Sequence, residues 1–260
     1  MSQRAPDVSA RRFAFPGAAE IIAHRGYSAR APENTLAAIE AGIAAGADAV
    51  EFDLHVTADG TPVLFHDETL ARTTDGEGAL RDRTLAELRG LDAGSWFAPA
   101  FAGEPIPTFD EALTLLSGRA SRLYPEVKGY RSPEDLSRMV DLVLEHRLVE
   151  RTVFISMDWG ALERMHALRA DLGVGYIVEK ASRARDAIAR ASGDAHALVD
   201  FKAALLLEDP SLAEEAGRRG VELAVWTVDD PADAARLLDL GVPRITTNRV
   251  AELTAWKATL

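Results

Sequence analysis

The stretch Val50-Glu51-Phe52-Asp53-Leu54-His55 decides how this chain is read. Along a β-strand successive side chains point to opposite faces, so Glu51, Asp53 and His55 share one face and Phe52 and Leu54 take the other. Two carboxylates and an imidazole turned into a barrel interior repel one another or are costly to bury without a cation. A hard divalent ion would remove that cost. An edge strand with its polar face in water is the competing reading, and this stretch alone does not choose between them.

On either side of it, β-rich runs alternate with longer amphipathic ones. The runs are Ile21–His24, Val50–His55, Leu123–Val127, Val153–Ser156, Val174–Val178, Ala197–Asp200, Glu222–Trp226 and Ile245–Thr247. Helical patterns lie between them: Leu36, Ile39 and Ile43 behind an expected Asn34 cap, Leu136, Val140 and Leu144 behind Ser132-Pro133, and Leu162, Met165 and Leu168 behind Asp158. Others start near Ser182, Ser211 and Pro231. Eight β runs with helical crossovers predict an α/β fold, a (β/α)8 TIM barrel. It is expected to occupy residues 18–260 as one domain after an N-terminal extension at 1–17. Thr69 to Pro107, rich in Gly, Asp, Arg and Pro, breaks the alternation after the second strand and reads as an insertion over one barrel end.

Composition narrows the function. Of 260 residues 47% are hydrophobic and 27% charged, the profile of a soluble globular protein. Lys and Arg number 29 against 41 Asp and Glu, a formal charge of -12, which argues against nucleic-acid and anionic-membrane partners. An anionic ligand therefore needs a local positive site. Without cysteine there are no disulfides, thiolate metal sites or Cys nucleophiles. Arg4, Arg11 and Arg12 come with no apolar run of signal-peptide length, and the longest unbroken non-polar run is Ala203 to Leu207. A cytoplasmic protein without stable membrane insertion is expected.

Further candidate groups stand at strand ends. Glu126-Val-Lys128 places a carboxylate and an ammonium on one face, and Glu126 beside Glu51 and Asp53 would complete an oxygen set suited to Mg²⁺ or Ca²⁺. His24-Arg25-Gly26 follows Ile21-Ile22-Ala23, and His66-Asp67 follows Val63-Leu64-Phe65. The two histidines suit a general acid and base, and Arg25 offers a fork for a phosphate; a lone histidine at such a place is more often structural. His146, His166 and His196 sit in or beside helical patterns and are given no role. Glycine-rich dinucleotide and Walker loops, the Gly-x-Ser-x-Gly elbow and His-Glu-x-x-His are missing.

Taken together, the motifs resemble those of the glycerophosphodiester phosphodiesterases. They are Ala23-His-Arg-Gly26, Pro32-Glu-Asn-Thr35, Glu51-x-Asp53, Thr57-x-Asp-Gly60, His66-Asp67, Arg72-Thr-Thr-Asp-Gly76, Glu126-x-Lys128, Trp226-Thr-Val228 and Gly241-Val242, in family order. The resemblance implies a TIM barrel, a divalent cation and hydrolysis of small-molecule glycerophosphodiesters to glycerol 3-phosphate and an alcohol, within lipid and glycerol metabolism. It implies Glu51, Asp53 and Glu126 as metal ligands, His24 and His66 as the acid/base pair, Arg25 and Lys128 as phosphate and charge stabilisers, and Trp226 beside the substrate. This chain departs from the family at three places: Asp229 where Asn is common, Asn248 where Asp is common, and Met157 where Phe is common. Two other functions are weighed. A sphingomyelinase D-like barrel acting on lipid headgroups is disfavoured by zero cysteines, and a non-catalytic phospho-ligand-binding barrel by the full set of histidines and carboxylates.

Overall fold

A computed structural model describes residues 17–260. Apart from Gly17, the expected N-terminal extension with Arg4, Arg11 and Arg12 lies outside the described residues. The strands are β1 (Glu20–Ala23), β2 (Ala49–Val56), β3 (Pro62–Leu64), β4 (Arg122–Val127), β5 (Val153–Ser156), β6 (Gly173–Val178), β7 (Ala197–Lys202), β8 (Glu222–Trp226) and β9 (Arg244–Thr247). Eight of them run in the order β1-β9-β8-β7-β6-β5-β4-β2, and β1 pairs with β2 to close the ring. Every pairing within that ring is parallel. The eight runs expected from sequence are these eight strands. The Val63-Leu64 run is β3, which stands outside the ring, antiparallel to the end of β2 with His55 opposite Val63.

The helices are α1 (Leu36–Ala44), α2 (Leu85–Leu88), α3 (Phe109–Leu116), α4 (Pro133–Glu145), α5 (Trp159–Leu168), α6 (Ala184–Ala191), α7 (Ala203–Glu208), α8 (Ser211–Arg218), α9 (Pro231–Asp239) and α10 (Val250–Lys257). Their starts follow local chemistry. Ser132 precedes Pro133 at the head of α4, and Asp158 caps α5 by accepting from Ala161 N. Asn34 does not cap α1, as the sequence suggested. Thr35 does, its Oγ1 accepting from Ala38 N at 3.1 Å, and Asn34 is freed for another task.

Strand alternation sorts the apolar residues into two shells. Phe52, Leu54, Phe154, Val174, Phe201 and Val225 face outward and pack with the helices in the main core. Ile22, Ala49, Tyr124, Val153, Ile155, Ile177, Leu198 and Ala224 form a separate cluster that fills the barrel. Its floor is ionic: buried Glu20 accepts from Arg122 at 3.1 Å and from the Tyr124 hydroxyl at 3.1 Å, and lies 3.2 Å from Arg244. These groups stand at the amino ends of β1, β4 and β9, so that end is plugged and the opening lies at the carboxyl ends. Within the segment 69–107, Leu70, Leu80, Leu88, Ala93 and Ile106 join Val63 and Phe65 in a small core of their own, and these residues stand by the carboxyl end of β2. No helix among the described residues is long and apolar enough to cross a membrane.

Candidate active site

The two carboxylates of β2 are 3% and 0% exposed, which excludes the edge-strand reading. β2 is flanked by β1 and β4, and Asp53 is in register with Glu126. One carboxylate oxygen from each of Glu51, Asp53 and Glu126 lies within 4.8 Å of the others. His55 shares their face by strand parity but does not join them. Its Nε2 donates to the main-chain oxygen of His66 at 3.0 Å, and its ring lies so close to Gly129 that a Cβ there would stand 2.7 Å from Nδ1.

Three crowded acids deform one another's titration. Burial, then the charges of Asp53 and Glu126, push the Glu51 carboxyl well above the usual range. Burial and then Asp53 raise Glu126 to about 7, although Lys128 Nζ is 2.9 Å away. Burial would raise Asp53 as well, but Arg25 and then Lys128 outweigh it and hold this acid below the ordinary value. Asp53 Oδ1 is nonetheless buried without a hydrogen-bond partner. An orphaned oxygen among three converging carboxylates is the donor set of a hard divalent cation, so the residues present fit one.

The turn after β1 delivers the next groups. Arg25 and Gly26 have φ of 54° and 79°, and a Cβ on Gly26 would stand 2.4 Å from the carbonyl carbon of Ala38 in α1. Only glycine fits between the turn and the helix. This bend points Arg25 N at Glu51 Oε2, 2.8 Å away, and sets the guanidinium between Glu33, at 2.8 Å, and Asp53, at 3.2 Å. Asn34, with φ of 58°, clamps Asp53 twice: Nδ2 donates to Oδ2 at 2.7 Å, and Oδ1 accepts from Asp53 N at 3.0 Å.

Each strand-end histidine is tied at Nδ1. Asn248 Nδ2 donates to Asp229 Oδ2 at 2.9 Å, which leaves Asn248 Oδ1 facing His24 Nδ1 at 2.7 Å, so Nδ1 carries the hydrogen. Asp229 and Asn248, the two positions at which the resemblance implies Asn and Asp instead, thus meet, and His24 faces the amide. His24 Nε2 stands 3.9 Å from Glu51. Burial and then Arg25 lower this imidazole to about 4. His66 Nδ1 is 2.5 Å from Asp67 Oδ1, and Arg72 bridges Asp67 at 2.6 Å to Glu33 at 2.7 Å. A continuous ionic chain therefore joins His66 through Asp67, Arg72, Glu33 and Arg25 to Asp53. Glu33, Asp67 and Arg72 stand inside the motifs, but the sequence alone assigns them no task. The adjacency of Asp67 to His66 was the available signal.

A cavity of about 180 Å³ opens over these groups. His24, Arg25, Glu51, His66, Glu126 and Lys128 line one side, and Ile155, Met157, Ile177, Asp200, Trp226 and Thr246 the other, with Glu179 also on the wall. All the site residues expected from sequence are brought together here, Asp53 lying behind the lining with Lys128 Nζ 3.6 Å from its Oδ1. His146, His166 and His196 are not among the lining residues. Asp200 was not foreseen.

Known proteins resemble this chain in sequence and in fold. The sequence model of the glycerophosphoryl diester phosphodiesterase family matches residues 24–252. A glycerophosphodiester phosphodiesterase of Caldanaerobacter subterraneus is 34% identical over 232 residues, covering 88% of this chain and 93% of the relative. One from Bacillus subtilis is 32% identical over 252 residues, covering 87% and 82%. Among solved structures, an Oleispira antarctica phosphodiesterase in complex with the product sn-glycerol-3-phosphate superposes with a TM-score of 0.82 at 30% identity, covering 91% of this chain and 96% of the other.

Proposed function

The chain belongs to the glycerophosphoryl diester phosphodiesterase family, and from that premise we propose that it hydrolyses glycerophosphodiesters to glycerol 3-phosphate and an alcohol in a metal-dependent reaction, with His24 and His66 as base and acid. One observation carries the reading: three buried carboxylates converge beside a cavity that two histidines, each held at Nδ1, also line.

Glu51, Asp53 and Glu126 would hold the cation. When bound, a divalent ion supplies Lewis-acid polarisation of the phosphoryl oxygens. Lys128 lines the cavity beside Glu126, and Arg25, whose Nε and Nη1 face Asp53 and Glu33, keeps Nη2 for a phosphoryl oxygen. Trp226 forms part of the wall against the substrate. His24 is neutral at physiological pH because burial and Arg25 hold it near 4, and its Nε2 lone pair accepts the proton of the glycerol 2-hydroxyl as that oxygen attacks phosphorus. His66 delivers a proton from Nε2 to the alcohol oxygen as the phosphorus–oxygen bond breaks, and the alcohol departs. Water then opens the resulting cyclic phosphate with the roles reversed: His66 takes the water proton and His24 returns its own to the 2-oxygen. Intramolecular attack of this kind lowers a barrier by up to roughly 7 to 11 kcal/mol when the geometry is right.

The test is release of glycerol 3-phosphate from choline, ethanolamine, glycerol and inositol diesters, each with Mg²⁺ and with Ca²⁺, alongside an analogue lacking the 2-hydroxyl. Turnover of at least one natural diester is expected, with the deoxy analogue bound and spared. Rapid hydrolysis of the analogue would contradict the cyclic route, and inertness toward the whole panel would contradict the reading itself.

A further inference from the structure

Asp200 stands on β7, four places from β2 around the ring of eight, and so faces the acid cluster across the barrel. It lines the cavity, is 4% exposed, and forms no ion pair among the described residues. Its Oδ1 is buried without a hydrogen-bond partner. The strands beside it offer none: Ile177 and Ala224 are its neighbours in register, and the Trp226 indole donates at 3.4 Å to the main-chain oxygen of Asp200, not to the carboxyl. A buried carboxylate oxygen left unsatisfied destabilises a fold, so its place beside a substrate cavity points to a partner that arrives with the substrate.

We propose that Asp200 is the specificity-determining residue of this cavity and hydrogen-bonds the terminal hydroxyl of the substrate's glycerol half. The proposal rests on the hydrolytic reading above, in which the 2-hydroxyl is engaged by His24. Depth favours the glycerol half over the leaving alcohol. Asp200 is buried, whereas Met157 on the same wall is 38% exposed and marks the open side through which alcohols of different size would extend. Charge favours a hydroxyl over an ammonium. Burial, with Glu126 adding to it, pushes this acid well above the usual carboxylate range, which disfavours the charged form an ammonium would pair with, whereas a carboxyl oxygen accepts readily from a neutral hydroxyl.

The experiment compares calorimetric binding of glycerol 3-phosphate with that of propane-1,2-diol 1-phosphate, which keeps the 2-hydroxyl and lacks the terminal one. The full-length wild type, Asp200→Ala and Asp200→Asn are titrated in the presence of Mg²⁺. The wild type should favour glycerol 3-phosphate, and Asp200→Ala should lose that preference by about tenfold or more. Asp200→Asn, whose amide oxygen also accepts, should keep part of it. If Asp200→Ala does not fold, Asp200→Leu, apolar and branched at the same Cγ, carries the same expectation. A wild-type preference retained in the alanine or leucine variant overturns the proposal, as does loss of Mg²⁺ affinity in Asp200→Asn, which would make Asp200 a metal ligand. Failure of the wild type to release glycerol 3-phosphate from any diester defeats the hydrolytic reading instead, and is seen without any variant.

Discussion

At the residue scale, the two classes of side chain in the cavity should fail differently. Asp53→Ala or Glu126→Ala should weaken divalent-metal binding and turnover together, because two remaining carboxylates cannot complete the shell. His24→Ala or His66→Ala should reduce turnover by a hundredfold or more, order of magnitude, and leave calorimetric metal affinity nearly intact. A histidine variant unable to bind metal would redraw that division. The pair of Asp229 and Asn248 makes a second prediction. His24 acts as a base only when neutral, so the acid limb of kcat/KM against pH reports its pKa, which burial and Arg25 hold near 4. Asp229→Asn with Asn248→Asp together would place a carboxylate on His24 Nδ1, favour the imidazolium, and move that limb to higher pH by roughly one unit or more. An unmoved limb would mean that His24 is not the base. The chemistry-bearing types at strand ends were readable because strand parity alone puts Glu51 with Asp53 and Glu126 with Lys128. Asn34 and Asp200 were not. The one owes its role to a left-handed backbone and the other to what stands across the barrel, and neither is encoded in local spacing.

At the scale of elements, the turn between β1 and α1 sets the site's precision. Gly26→Ala would force a Cβ to within 2.4 Å of the Ala38 carbonyl carbon at a φ of 79°. The turn must then move, and His24 and Arg25 with it. A loss of about 2 kcal/mol or more is expected, several degrees in Tm for a chain of this size, together with reduced turnover. A melting curve and rate equal to wild type would show the turn to be more yielding than its packing suggests. The barrel strands were legible because parallel strands buried on both faces read as short apolar runs between turn signals. β3 fell outside that pattern, being a three-residue strand against the end of β2. α3 went unplaced although Thr108 and Glu111 form a capping box ahead of Leu113 and Leu116. Its start adjoins the Pro-rich insertion, which masked the helical period.

At the scale of the whole molecule, closure is what makes the chemistry. Glu51 on β2, Glu126 on β4 and Asp200 on β7 are brought to one cavity, with Asp53 of β2 behind its lining, only because β1 pairs with both β2 and β9. The order of the strands was legible in the alternation of runs, whereas the depth of each side chain depends on register, which single-sequence patterns leave open. With Glu126 raised to about 7, the metal-free protein binds more protons folded than unfolded between the ordinary carboxylate value and that pH. This contribution to stability is present below the ordinary carboxylate value, fades across that window and is lost by about pH 7, so a divalent cation should raise Tm more at pH 8 than at pH 5. The most direct test of the central claim is the rate of glycerol 3-phosphate formation from a glycerophosphodiester after exhaustive chelation, followed by stepwise return of Mg²⁺ or Ca²⁺. The account predicts negligible turnover in the stripped enzyme and saturable recovery with added cation, whereas full turnover in the stripped enzyme would contradict it.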